Sequence, residues 1–275
     1  MTKVSVVQMS SQDNVKDNLK KVSDLVIEAA KAGSQLVLLP ENFALIGSEE
    51  QKLKNAEDAG KGLIQETIAD LARNHNIWIL AGSIAIKNPE AKTEKTNKVF
   101  AASILYDNNG NNVCRYDKIH LFDVTINIKS TVESYCESNT ISPGHNPTVY
   151  KSPFGMIGLS ICYDIRFPEL YRGYCAAGVE IISIPAAFVY ETGKAHWHVL
   201  NRARAIENQA YVMAANQYGA HPGNRRTYGH SMIINPWGEV IAETADKDGI
   251  ITANIDLNAM RKLRASFPVI QHRKL

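Results

Sequence analysis

Residues 155–171 read GMIGLSICYDIRFPELY. The apolar run Met156 to Ile161 reads as a buried strand, Phe167 to Ala177 as a helix, and Ile181 to Pro185 as the next buried strand. Strand, turn and helix in that order form the repeating unit of a sheet covered by helices. Cys162 stands on the turn, beside backbone N–H groups that the coming helix has not yet used. Such groups favour a thiolate and can also receive a developing oxyanion.

The same grammar runs through the first half. Val4 to Met9 is apolar, then Val15, Leu19, Val22, Leu25, Val26 and Ala29 recur at helical spacing. Leu36 to Leu39 is a short buried strand halted by Pro40, and Glu41 follows at its end. Helix Leu63 to Asn74 and strand Ile77 to Gly82 come next. Val99 to Tyr106 and Val113 to Tyr116 flank Asp107-Asn108-Asn109-Gly110, whose residues tolerate positive φ and predict a hairpin. Beyond Pro185 the pattern gives helix His196 to Asn208 and strands Tyr211 to Ala215, Ser231 to Asn235, Val240 to Ala242 and Ile250 to Ile255. The alternation predicts an α/β fold with mixed sheets in more than one layer. Residues 123–147 are the least periodic and are expected to wall a site, and Lys87 to Thr96 reads as a polar loop.

A chain of 275 residues with 45% apolar content can bury one sizeable core, so a single domain over residues 1–275 is expected. The 30 basic and 28 acidic residues are interspersed and leave a net charge of +2, which implies neither a nucleic acid nor an acidic membrane as partner. No apolar stretch reaches the roughly 18 residues of a membrane span, and MTKVSVVQM lacks a signal-peptide pattern. A cytoplasmic protein is expected. Cys114, Cys136, Cys162 and Cys175 are too few for a disulfide scaffold and form no CxxC pair, so they should be reduced.

Glu41 ends a buried strand, where catalytic groups of open α/β sheets gather. Lys118 sits among apolar neighbours in YDKIHLF (116–122). Each residue alone has an ordinary reading: Cys162 as small core, Glu41 as a solvated loop carboxylate, Lys118 as an ammonium paired with Asp117. Together they supply a thiol, a carboxylate to take its proton and a cation for a tetrahedral intermediate. The histidines show no ordered Cys/His pattern of a protease. His196 and His198 point to different helix faces with no third ligand at metal spacing, so they read as capping or packing rather than zinc.

LVLLPENF around Glu41, CRYDKIHLFDV around Lys118, ESNTISPG from Glu137 and GLSICYDIRFPELYR around Cys162 resemble, in order, the motifs of the nitrilase superfamily. The likeness extends through AHWHVLNRARAIENQAYV, RTYGHSMIINPWG and FPVIQHR. It implies an α-β-β-α sandwich, two mixed sheets between helix layers, in subunits that pair as a homodimer or larger homo-oligomer. It also implies a cysteine-dependent amidase without metal or organic cofactor, in which Cys162 is nucleophile, Glu41 general base and Lys118 oxyanion stabiliser. Glu137 would be the second glutamate that positions Lys118, although by itself it reads as a loop carboxylate. Tyr163 would lend its backbone N–H to the oxyanion, and Arg166, Phe188 and Thr192 would contact substrate, Arg166 having a salt bridge to Glu169 as its plainer reading. NRRTYGHSMIINPWG and FPVIQHR are most similar to the branch that hydrolyses deaminated glutathione. The related ω-amidases of 2-oxoglutaramate or 2-oxosuccinamate are the alternative, and a silent dimeric scaffold is a third reading. His221, Arg225 and Arg226 form a basic loop suited to a distal substrate carboxylate. His198 departs from the glutamate common at that position among relatives.

Overall fold

The computed structural model describes residues 1–91, 98–128, 131–244 and 246–274. The first half runs β1 (Thr2–Gln8), α1 (Val15–Lys31), β2 (Leu36–Leu38), α2 (Glu49–Lys54), α3 (Leu63–His75), β3 (Trp78–Lys87), β4 (Val99–Tyr106) and β5 (Asn112–Asp117). A hairpin of β6 (Asp123–Ile128) and β7 (Thr131–Cys136) follows. The second half runs β8 (Thr148–Ser152), β9 (Gly155–Leu159), α4 (Pro168–Ala176), β10 (Ile181–Ala186), α5 (Tyr190–Asn208) and β11 (Tyr211–Asn216). It ends with β12 (Tyr218–Ala220), β13 (Arg226–Tyr228), β14 (Met232–Ile234), β15 (Val240–Glu243), β16 (Gly249–Ile255) and α6 (Leu257–Ser266).

Two six-stranded sheets result, ordered β16-β1-β2-β3-β4-β5 and β15-β14-β11-β10-β9-β8. Both have the same plan. Three parallel strands, β1-β2-β3 or β9-β10-β11, carry one antiparallel strand on one side and two on the other. The repeated strand-helix grammar of the sequence is thus an internal symmetry of the fold.

Alternation along the strands sends side chains two ways. Val4, Val6, Leu36, Leu38 and Leu80 face the second sheet, in one core with Ile157, Leu159, Ile184, Val212 and Met232. Val7, Val37, Leu39 and Ile79 face outward onto Leu19, Val22 and Val26 of α1 and Ile64, Ile68 and Leu71 of α3. Strands buried on both sides must be apolar throughout, which is why Leu36 to Leu39 has no polar residue. On the far side, Leu170, Tyr171 and Tyr174 of α4 and Trp197 of α5 cover the second sheet. The layers are therefore helix, sheet, sheet, helix. Burying each such aliphatic side chain contributes about 1.5–3 kcal/mol.

Several elements differ from their sequence reading. The aperiodic stretch from residue 123 holds the β6–β7 hairpin, whose exposed face needs no apolar alternation. Helix α5 begins at Tyr190 instead of His196, because its polar first turns carry no apolar stripe. The short helix α2 has no buried residue, and α6 buries only Met260, so neither shows a periodic signal. In the polar loop after β3, Pro89–Ala91 form a 3-10 turn, and residues 92–96 lie outside the described residues.

Candidate active site

The sheets meet with the ends of β2, β5, β9 and β10 around one cavity of about 230 Å³. Glu41, Lys118, Glu137 and Cys162 line it, as do Tyr163, Arg166, Phe188 and Thr192, so all eight residues singled out in the sequence converge.

Each is placed by its local backbone. Glu41 follows β2 across Leu39-Pro40 and is buried, at 3% exposure. Its loop rests on a bulge of β3 at Gly82-Ser83, where Ser83 Oγ accepts from the Asn42 N–H at 2.9 Å. Gly82 is required there, since a Cβ would lie 2.2 Å from the carbonyl oxygens of Leu39 and Pro40. Lys118 leaves β5 and is 1% exposed. Gly144, the last residue of ESNTISPG, donates its N–H to the Lys118 carbonyl at 2.8 Å, and a Cβ on it would meet the Asp117 carbonyl oxygen at 2.1 Å. Glu137 opens a 3-10 turn directly after β7. Cys162 begins the turn Cys162–Arg166 with φ +49°, the left-handed region that a side chain enters only at a cost. Asp164 fixes that turn: wholly buried, it accepts from the Ile161 N–H at 2.8 Å, Tyr116 Oη at 2.7 Å and the His120 N–H at 3.0 Å.

Lys118 Nζ is the hub. It donates to Glu41 Oε1 at 2.9 Å and to Glu137 Oε1 and Oε2 at 3.0 and 2.9 Å. Glu41 Oε2 accepts from the Ala187 N–H at 2.8 Å, beyond the end of β10, and Glu137 Oε2 from the Phe122 N–H at 2.8 Å. Asp117 pairs with Arg115 at 2.8 Å instead, so the surface ion pair first considered for Lys118 does not form. The Cys162 thiol and the Glu41 carboxylate line the same cavity and act on each other electrostatically.

Burial raises the pKa of Glu41, but Lys118 outweighs it and leaves the carboxyl below its usual value. Burial also acts against the Lys118 ammonium, yet Glu137 and Glu41 hold its pKa well above the ordinary lysine value. Burial, then Glu41, push the Cys162 thiol up against the pull of Lys118. At neutral pH the set is a neutral thiol against a charged carboxylate and a charged ammonium. Such a pair can pass a proton as the sulfur attacks, and the ammonium can meet the oxyanion that forms.

The walls hold corrections to the sequence reading. Arg166 makes no salt bridge to Glu169; its guanidinium lies over the rings of Phe188 and Tyr163, at 5.1 and 5.8 Å, and approaches His196 Nδ1 at 3.3 Å. The basic loop divides. Arg225 lines the cavity, whereas His221 is buried between the Ser11 carbonyl at 2.8 Å and Thr227 Oγ1 at 2.7 Å, and Arg226 stacks on Tyr190. Cys136 is exposed on the cavity wall beside Ser134 and Tyr135. His198 does gain partners: Glu243 Oε1 sits 2.8 Å from its Nε2 and 2.7 Å from His230 Nδ1. These three ligand atoms lie within 4.8 Å of one another and could hold a metal. Here the carboxylate oxygen fills the point on which both rings converge.

A family model for carbon-nitrogen hydrolases matches residues 3–265. The chain belongs to the carbon-nitrogen hydrolase family. A deaminated glutathione amidase of Yersinia enterocolitica is 39% identical to this hydrolase over 271 residues, 98% of this chain and 92% of that protein. One from Synechocystis is 41% identical, over 98% and 97% of the two chains. The crystal structure of Saccharomyces cerevisiae Nit3, of branch 10 of the nitrilase superfamily, superposes with a TM-score of 0.87 at 30% identity, covering 100% of this chain and 97% of that one. The hydrolase therefore has the sandwich that its motifs imply.

Sequence reasoning missed two features of the hydrolase site. Asp164 was visible two residues after Cys162, but nothing in the spacing shows that it receives bonds from the Tyr116 to His120 segment. Lys52, on a helix without an apolar face, gave no signal, yet its side chain lines the cavity.

Proposed function

We propose that this hydrolase opens a small ω-amide of a 2-oxo acid through a thioester on Cys162, with deaminated glutathione as its substrate. The observation that carries the reading is the set of buried Cys162, Glu41 and Lys118 with half-buried Glu137 lining the cavity. The names borne by relatives at about 40% identity support the substrate.

In this reading Glu41 takes the thiol proton as Cys162 Sγ bonds to the amide carbon, and the carbonyl electrons move onto oxygen. Lys118 Nζ and the Tyr163 N–H hold that oxygen. Glu137, accepting from the ammonium through both carboxylate oxygens, keeps Lys118 aimed. Collapse breaks the C–N bond, and cysteinylglycine leaves with the proton from Glu41. Water then attacks the thioester, gives its proton to Glu41, and frees the acid and the thiol. Arg166, Phe188 and Thr192 bind the acyl half. No metal or organic cofactor takes part. The whole chain acts as one domain, and its four unpaired cysteines suit a reducing compartment such as the cytoplasm.

The test is kcat/KM for deaminated glutathione against 2-oxoglutaramate with one preparation, while mass spectrometry follows an acyl adduct on Cys162. The expected result is a preference for deaminated glutathione. A strong preference for the smaller amide moves the chain to the ω-amidase reading, and release of neither amine nor ammonia leaves the scaffold.

A further inference from the structure

Four cationic side chains line the cavity: Lys52, Lys118, Arg166 and Arg225. Lys118 is spoken for by Glu41 and Glu137. Among the described residues, none of the other three has a carboxylate oxygen within 4.0 Å. Three unpaired cations around a cavity this small are costly unless an anion completes them.

They fall into two groups. Arg166 packs on Tyr163 and Phe188 and faces His196, on the side formed by the nucleophile turn and α5. Lys52 comes from α2 in the first half and Arg225 from the turn before β13. The two are electrostatic neighbours, each acting on the other's side of the cavity near Glu41. Burial, with repulsion from Arg225 and Lys118, lowers the Lys52 pKa, and Glu137 and Glu41 only partly offset this. The one other carboxylate on this wall, Glu49, is exposed at the mouth.

Arg225 supplies a second, separate observation. Its Nη2 donates to the Ala187 carbonyl at 3.1 Å, while its Nε is buried without a hydrogen-bond partner. Buried donors are nearly always satisfied, so this guanidinium sits in the cavity wall with hydrogen-bonding capacity in reserve. The same Ala187 gives its N–H to Glu41, so the guanidinium is anchored to the peptide that positions the base. Lys52 is also held in place: α2 starts with a capping box in which Ser48 and Gln51 bond reciprocally at 2.8 and 3.2 Å.

We propose that Lys52 and Arg225 form a second anion subsite, apart from Arg166, which takes the carboxylate carried by the leaving amine. This rests on the amidase reading above and adds a specificity determinant to it. The class of substrate is an amide with a carboxylate on each side of the scissile bond. Arg166 holds the acyl-side carboxylate, and the Lys52–Arg225 pair holds the other end.

Deaminated glutathione has both carboxylates, whereas 2-oxoglutaramate has only the acyl one, so the pair of substrates isolates the subsite. Lys52→Met should raise KM for deaminated glutathione at least tenfold with a smaller change in kcat. The ratio of kcat/KM for deaminated glutathione over 2-oxoglutaramate should fall at least tenfold, and Lys52→Arg should restore most of it. Arg166→Met should instead depress both substrates together. Inhibition by the product cysteinylglycine, read on the wild type and on Lys52→Met, should weaken in the variant by a similar factor. Because α2 buries no residue, the substitution leaves the core intact. A Lys52→Met enzyme that loses the same factor on both amides, or keeps the wild-type ratio, overturns the subsite while amide hydrolysis stands. A wild-type enzyme that cleaves neither amide defeats the functional reading itself.

Discussion

Cys162 combines two costs, a buried thiol and a left-handed backbone, and the second can be measured apart from the chemistry. Cys162→Ala and Cys162→Gly should both abolish turnover, since neither can form a thioester. Glycine enters the left-handed region freely, and alanine pays about 1 kcal/mol there. The glycine variant should therefore melt at or above the alanine variant, reversing the order usual for this pair in regular structure. A thermal melt showing alanine clearly more stable would mean that the turn relaxes once the sulfur is gone. Cys162 and Glu41 were legible in the sequence because each follows a buried apolar run, and Lys118 because of its apolar neighbours in YDKIHLF and the family motif around it. Lys52 and Arg225 were not separable from surface charge, because a loop or a polar helix gives no periodicity to say which way a long side chain turns.

At the level of elements, α5 and β15 are tied by His198 and Glu243, with His230 as the third member. The sequence did not show the partner of His198, 45 residues away on another element. Burial is the largest single influence on Glu243 and raises its pKa, but the hydrogen bonds and charges of His198 and His230 together outweigh it, so the carboxyl lies below its ordinary value of 4.5. A depressed folded-state pKa gives stability that is present above the unfolded value and is lost as pH falls through the folded one. The residues are about one-third exposed, so solvent screening limits the gain to about 0.5–1 kcal/mol. Glu243→Gln should thus lower Tm by about 1–4 °C at pH 7. At pH 3 the difference should vanish, and an undiminished difference there would show that the bonds act through packing alone. The strands were legible for the same reason that the helices facing them were, since both carry an apolar repeat. The β6–β7 hairpin, β8, β12, β13, α2 and α6 were not, because they bury too little to write one.

For the whole molecule, Ile206, Trp237 and Phe267 are 49%, 60% and 51% exposed, and the last two rings lie 6.0 Å apart. Gly238 lies against the Ile206 side chain, which makes the patch continuous. An apolar patch of this kind is where the homodimer implied by the sequence motifs would bury surface. Light scattering of Trp237→Glu should then show a monomer where the wild type gives a dimer, and a monomeric wild type would end that reading.

Both sheets share one plan, and the groups of the proposed mechanism are divided between them: the carboxylate and the ammonium follow strands of the first, the thiol a strand of the second. In that mechanism neither half contains a complete centre. Catalysis would then be a property of the seam, with a proton crossing from sulfur to carboxylate only while the two sheets remain clasped. Gentle loosening of that seam by denaturant should silence turnover while far-UV circular dichroism still reports intact strands and helices. The enzyme's own rate is then a gauge of how tightly its two repeats are closed.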